Sequence, residues 1–567
     1  TTLRFIDGTG LQHVRQVMRI LTDAAVESMG EASIPDSASL LFAATIKPDG
    51  HVLEPEDIAQ KESVSFPDLQ PGDAIWLEYL APLSPDSFLG GGFIESAFFF
   101  DLFDVPVHES TYTTLAQDGL APIFRFTDGV GTPEKVTIPG FSGVRFTVGP
   151  SAGVVGEPAA AAPLDALKQA RAICVPTETG CGATLEASLP LIREALLPLI
   201  TATARVREAR PDLPDASDLG RMEAIWQLVA DKVEDDPGAW LSVSADEALR
   251  TGKGERAVTA LALLVAAGFD ADLVLVAPVD SGAGALDAAS PRMLSQRLVR
   301  VLLPDGPRYL DPEMASVGPG FLMPTLLGQT GYAIGLKRRA ERVTLPDASP
   351  GDERRSIEIA LVVSADGSLT GEWTETARGV DAAAYRQVIG IMEKSEWNKR
   401  LLPLIEEVVP GVDLDDVTLD NLEDKATSKP VVAHYRFHRG PTPGALELHL
   451  VPVEATSRWA TLEERKTDLI VELNALVDLR IRIQAAAGAA IETETLGSIG
   501  AQAGPGARYE RTIAAGPEGS VEVARSLTLR PQRVLPGNYP LFRNFATKVD
   551  QHDMVRVKLT AGASSGR

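Results

Sequence analysis

From Arg221 to Pro312 the chain holds no cysteine and no histidine, and its 567 residues include only two cysteines and seven histidines. No histidine falls between His108 and His434. A thiolate nucleophile needs a base within hydrogen-bond reach, so the central third cannot build a cysteine–histidine pair from its own residues. The two cysteines form no CxxC pattern and have no histidine near them in sequence, which argues against zinc; the expectation is a chain without metal or cofactor. Aromatic residues make up 6% of the chain, few for a surface of stacking platforms. No apolar run approaches the ~20 residues of a membrane-spanning helix. Basic residues are in deficit, 53 against 78 acidic, and the net charge of −25 sets the surface against nucleic acid and anionic lipid.

What is present reads as several folded domains joined by punctuated linkers. Residues 1–155 are β-rich, with Pro48-Asp49-Gly50 as a tight turn and Ile75, Leu77 and Tyr79 alternating as a half-buried strand. Residues 156–215 read as a hinge at Pro158 to Pro163 followed by a helical linker from Leu189 to Ala209. Residues 216–345 hold an amphipathic helix carrying Met222, Ile225, Trp226, Val229 and Val233, then a nearly all-apolar helix from Ala257 to Ala267 that stops at Gly268. Strand-like runs at Leu273 to Val276 and Leu298 to Leu303 follow, and a turn leads to Tyr309-Leu310-Asp311-Pro312. Residues 350–560 read as a second β-rich module with an inserted helix whose face carries Tyr385, Val388, Ile389 and Met392. The fold class is therefore α+β and multi-domain, with sandwich-like β modules flanking a helix-on-sheet domain.

Smaller features each have a bland reading beside a functional one. Cys174 and Cys181 enclose a loop with Pro176 and Gly180 that suits a small disulfide hairpin; free thiols are the other reading. His434 and His438 share a face of a strand about 13 Å apart, which favours sheet-surface residues over a metal pair. Asp413, Asp415, Asp416 and Asp420 read as a solvated acidic loop, since the calcium-loop glycine and terminal glutamate are missing. The clusters Lys337-Arg338-Arg339 and Glu353-Arg354-Arg355 read as solvated loop charges, and the phenylalanines from Ala97 to Phe103 as a buried strand and turn. Gly252 and Gly254 lack the spacing of a phosphate loop. The chain opens at Thr1 inside a strand-like segment, so a processed portion of a longer protein is expected.

The helix, glycine turn, buried helix and two strands of residues 216–345 resemble the transglutaminase-like superfamily, a papain-type fold. In that family the buried helix begins with a Gly-Asp-Cys-like motif, a histidine lies on the next strand, and an aspartate follows in a Leu-Asp-Pro-like sequence. Laid on this chain, the nucleophile position falls on Gly254, the base on or next to Gln296, and the acid on Asp311. Glycine has no side chain and a glutamine amide takes up no proton near neutral pH, so the resemblance implies a degenerate site. Pro67-Asp68-Leu69, Pro71-Gly72-Asp73, Ile75 to Tyr79 and the late segment Val534 to Phe545 are similar to bacterial envelope proteins that open with domain-of-unknown-function family 3857.

The resemblance implies a pseudo-transglutaminase that binds a protein or peptide in the bacterial envelope, with Trp240, Glu255 and Asp311 as binding residues. The expected location is periplasmic or cell-surface, the cytoplasm being the alternative. A peptidase or amide transferase with displaced chemistry, using Asp311 with Ser295 or Glu255, is the second reading, and a glycan-binding module beside Trp240 the third.

Overall fold

The structure is a computed structural model. It describes residues 1–561 apart from 36, 56–62, 87, 213–215, 237, 283–289, 313–317, 348–353, 424–428, 443 and 494–495. The chain divides into two compact units, the first made of Thr1–Gly156, Ala166–Ile192 and Asp287–Pro291, the second of Glu157–Asp165, Arg193–Leu286 and Arg292–Arg567. Strand outweighs helix, 40% against 23%, as expected for modules built on alternating sequence.

The first unit is organised by an eight-stranded sheet in the order Glu134–Ile138, Phe141–Val148, Ser110–Gln117, Thr2–Arg4, Gly10–Arg19, Ala74–Leu83, Ser39–Ile46 and Val52–Leu53. Ile75 and Leu77 point into a core with Ile20, Ala43 and Phe66, as their two-residue period requires. A second sheet forms around Gln169–Thr177, which pairs with Ile123–Phe126, Phe93–Ile94, Phe98–Phe99 and Gly180–Gly182. The two sheets share an aromatic core of Phe100, Tyr112 and Phe146, so the sandwich-like expectation fits this unit. Phe100 is fully buried, while Phe98 and Phe99 are half-buried. Within the interior, Arg4 and the Tyr112 hydroxyl both donate to the Glu95 carboxylate, the arginine at 3.2 Å.

The segment 156–215 is not a helical linker throughout. Its strand Gln169–Thr177 is a member of the first unit's second sheet, because QARAICV buries almost every side chain. Its helical part is two helices, Leu185–Leu199 and Ala204–Ala209, and Thr203 caps the second by accepting from the Val206 amide.

In the second unit, a five-stranded antiparallel sheet runs Gly306–Leu310, Gln296–Leu303, Ala271–Val276, Thr330–Gly335 and Glu341–Thr344. The helix Arg256–Ala266 is buried from Ala257 to Leu264, as its unbroken apolar sequence demands. The helix Asp218–Lys232 buries Met222, Ile225, Trp226 and Val229, and Val233 is its cap residue. Between them lies the short helix Ala245–Thr251, closed by Gly252 in a left-handed conformation, φ 78°.

The rest of the second unit is built on another eight-stranded sheet, in the order Asp413–Asp420, Val431–Arg439, Leu369–Ala377, Arg355–Val363, Ala475–Ala485, Val521–Leu529, Ala507–Ala515 and Gly497–Gln502. One face carries Ile357, Ile359, Trp373, Tyr435, Leu479 and Ile481 into a core that also takes Leu401 and Ile405 from a helix and Leu446, Leu448, Val555 and Val557 from a small three-stranded sheet. This module is thus a large sheet with a mixed cover of helix and small sheet, rather than two matched sheets. The acidic run 413–420 is an edge strand and not a loop, and its Asp415 meets His438 at 2.7 Å. His434 and His438 do lie on a strand, on its exposed side. The inserted helix continues from Gly379–Ala384 into a π-turn at Tyr385–Ile389, which leaves Val388 40% exposed instead of on the buried face. The terminal Val534 to Phe545 segment enters the helix Tyr539–His552, whose Tyr539, Phe542, Phe545 and Val549 are fully buried.

Candidate functional site

The residues singled out in the central domain meet around the start of the Arg256–Ala266 helix. Glu234–Asp235 pairs in parallel with Lys253–Gly254 and brings the Asp235 carboxylate to the Arg256 amide, at 2.9 Å. That bond satisfies one of the donors a helix leaves unpaired at its start. The Arg256 guanidinium reaches back to the Val233 carbonyl at 2.7 Å and across to the Pro312 carbonyl at 3.4 Å. The Leu-Asp-Pro segment is thereby tied to the helix start.

Glu255 occupies the cap position of this helix and is 1% exposed. Its carboxylate stands 3.1 Å from the Arg297 guanidinium, itself almost wholly buried. Burial pushes the Glu255 carboxyl up to about 7; Arg297 and the Leu241 amide pull against that rise, and Asp235 and Asp236 reinforce it. Leu241 presents its amide from a left-handed backbone, φ 47°, an uncommon conformation for a branched side chain. Trp240 is therefore one residue from a group that acts on Glu255, and the Arg292 guanidinium lies 5.4 Å from its ring centre.

The three positions matched to a triad lie on Lys253–Gly254, at the start of Gln296–Leu303 and just past the end of Gly306–Leu310. A Cβ on Gly254 would meet Ala248 Cβ at 2.8 Å and Val243 Cγ1 at 3.0 Å, so that position faces the Ala245–Thr251 helix. On the strand Gln296–Leu303, Gln296 is paired with Val276 and shares its face, whereas Arg297 is paired with Leu275 on the other face. The side chain reaching the helix start from this strand is therefore Arg297, one residue beyond Gln296. Asp311 is 1% exposed, and its Oδ2 accepts from the Met323 amide at 2.9 Å. Ser295 is exposed.

Sequence reading missed the arginines that hold this domain together. Asp272 and Arg300 are directly paired across adjacent strands, with Arg300 Nε 2.9 Å from Asp272 Oδ2. Arg300 also reaches Glu341 at 2.6 Å, and Arg338 joins both Asp270 and Asp272. Arg338 is a structural cation and not a solvated loop charge. The same correction applies to Arg354, bidentate on Asp478, and Arg355, bidentate on Glu375; Glu353 lies outside the described residues. An aspartate in the otherwise apolar strand ADLVLV and two arginines in QRLVRVLL were the available signal.

Cys174 and Cys181 are bonded to each other, so the chain has no free thiol. Around the helix start the ionisable side chains include the carboxylates of Asp235, Asp236 and Glu255, the guanidiniums of Arg256 and Arg297, and the Lys253 ammonium. Glu255, raised to about 7 by burial, lies among them.

The segment 7–154 matches the family described as a domain of unknown function with solved structure, DUF3857. The chain contains a DUF3857 domain. No curated protein matches the chain. A crystal structure from Parabacteroides distasonis, named as a "putative protease", shares the fold over 98% of this chain and 97% of its own, at a TM-score of 0.65 and 13% identity. The matched segment holds seven of the eight strands of the first unit's large sheet, and the likeness to the solved structure extends the fold through the rest. Among the described residues no helix is long and apolar enough to cross a membrane.

Proposed function

We propose that this protein is a non-catalytic, transglutaminase-like binding component of the bacterial cell envelope that recognises a protein or peptide segment beside Trp240 and the Glu255–Arg297 pair. The observation that carries this reading is that pair. Where the resemblance calls for a thiolate and an imidazole at the helix start, a buried carboxylate and a guanidinium neutralise each other, and the chain's only cysteines are consumed in a disulfide. The disulfide also supports an oxidising location such as the periplasm or cell surface.

A second reading has its own support. A carboxyl held at about 7 is suited to general acid–base work at neutral pH, and the structural neighbour carries a protease name. In that reading Glu255 and Asp311 serve a displaced peptidase chemistry.

Both are tested with one set of proteins. Wild type and Glu255→Gln are assayed for hydrolysis of labelled casein and for incorporation of a fluorescent amine into a peptidyl-glutamine donor. Wild type and Trp240→Ala are compared on an immobilised peptide array. No turnover by either protein, with array binding lost in Trp240→Ala, supports the binding reading. Turnover abolished by Glu255→Gln replaces it with the peptidase reading, and an array blank for wild type removes the binding role.

A further inference from the structure

A strand at the end of a sheet presents every second N–H and C=O to solvent, and stable proteins blunt such edges with charge, proline, bulges or short length. Among the described residues, the ends of the two eight-stranded sheets, the five-stranded antiparallel sheet and the three-stranded sheet follow that rule with one exception. Glu134–Ile138 carries Glu134 and Lys135, and Val52–Leu53 is two residues long. Gly306–Leu310 contains Pro307 and Arg308, and Glu341–Thr344 has Glu341 and Arg342. Leu446–His449 and Ala489–Thr493 each hold a glutamate. Asp413–Asp420 has four aspartates and a bulge between Leu414 and Asp416.

Gly497–Gln502 has none of these devices. Its sequence GSIGAQ is uncharged and free of proline, and it pairs without a bulge along Ala507–Ala515 from Gly497↔Ile513 to Gln502↔Arg508. Gly497, Ser498, Gly500 and Gln502 are exposed, and the preceding Leu496 is 57% exposed. Among the described residues, its backbone takes no partner other than Ala507–Ala515.

We propose that this edge pairs with the same strand of a second copy, antiparallel about a two-fold axis at Gly500, so that Gly500 faces its own counterpart, and makes a symmetric dimer with a continuous sixteen-stranded sheet. The occupant follows from compatibility. Two GSIGAQ strands oppose no like charges, whereas the sheet's other end would set four aspartates and a bulge against any added strand. Head-to-tail stacking of this sheet, which would give open filaments, is thereby disfavoured and the closed pair remains. A six-residue strand spans about 20 Å, so the contact falls below the area of a standard interface and the dimer is weak and concentration-dependent. Each copy carries −25, so added salt tightens the dimer by screening that repulsion.

The test uses the intact chain in sedimentation velocity across a concentration series at low and moderate salt. Gly500 sits near the centre of the strand, and a Cβ there meets only the Tyr509 carbonyl at 3.6 Å, so Gly500→Lys and Gly500→Glu fit the fold; thermal unfolding verifies this. The expected result is a wild-type dimer that strengthens with salt, a loss of about tenfold or more in association for each variant alone, and recovery on mixing the two in equal amounts. A wild type that stays monomeric at every concentration overturns the proposal. So does a dimer indifferent to both variants.

Discussion

Arg297 and Glu255 form an ion pair at 3.1 Å with both side chains withdrawn from solvent. Each immediately follows a position, Gln296 or Gly254, where the family resemblance places a catalytic group. Buried pairs of this kind gain little net stability, because desolvating two charges offsets their attraction, yet losing one partner strands the other. The pair is therefore a sensitive point in the domain whether or not it meets a ligand.

Its pH dependence has a definite sign. Burial raises the Glu255 carboxyl from an ordinary 4.5 to about 7, so the folded state binds the proton more tightly than the unfolded chain. The contribution is fully present below about 4.5 and is lost as pH rises through about 7, by about 3 kcal/mol at most. Chemical unfolding of wild type and Glu255→Gln across this window should show wild type losing stability relative to the variant as pH rises. A constant difference would remove the assigned burial effect.

Restoring the missing triad by name should fail. Gly254→Cys with Gln296→His places a thiol against Ala248 and Val243 and an imidazole on the Val276 face of its strand. The expected outcome is no amide hydrolysis or transfer, and destabilisation of about 1–3 kcal/mol from overpacking. Measurable thiol-dependent turnover would show that the two side chains can meet, against the register described.

The architecture of the central domain was legible because its elements announce themselves locally. Ala257 to Ala267 admits no polar face, and Leu298 to Leu303 is too branched and short for anything but a strand. At the helix start the sequence pointed to Gln296, whereas the side chain that reaches Glu255 is Arg297; in a strand that shift of one residue reverses the face. The strand Gln169–Thr177 was hidden because Pro176, Gly180 and the alanine-rich 158–163 run read as linker, while its pairing partners lie dozens of residues away. Arg338, Arg354 and Arg355 looked solvated because their carboxylate partners are equally remote in sequence.

The disulfide gives a direct check on compartment and on the thiol argument. Native protein should take up no thiol reagent, and unfolded, reduced protein should take up two equivalents, one from each cysteine. Closing an eight-residue loop restricts the unfolded chain by about 2 kcal/mol, so Cys174→Ser with Cys181→Ser should lower the midpoint of unfolding of the first unit. Thiol labelling of the native, untreated protein would reopen both the oxidising location and the possibility of a cysteine nucleophile.

In the C-terminal module Arg355 grips Glu375 with two hydrogen bonds, at 2.7 and 3.0 Å, and Glu375 is 1% exposed. Nearby, the Tyr385 and Tyr435 hydroxyls meet at 2.9 Å, and burial with the Glu375 charge holds both phenols well above their usual range. Arg355→Met alone leaves Glu375 buried without its cation, and Glu375→Leu alone leaves the guanidinium without its carboxylate. Each single change should cost about 3–5 kcal/mol, while the double change should cost far less, because it removes both desolvation penalties together. Denaturant unfolding of the four proteins closes this cycle. If the two single losses simply add in the double variant, the arginine and glutamate act independently and the pairing explains neither.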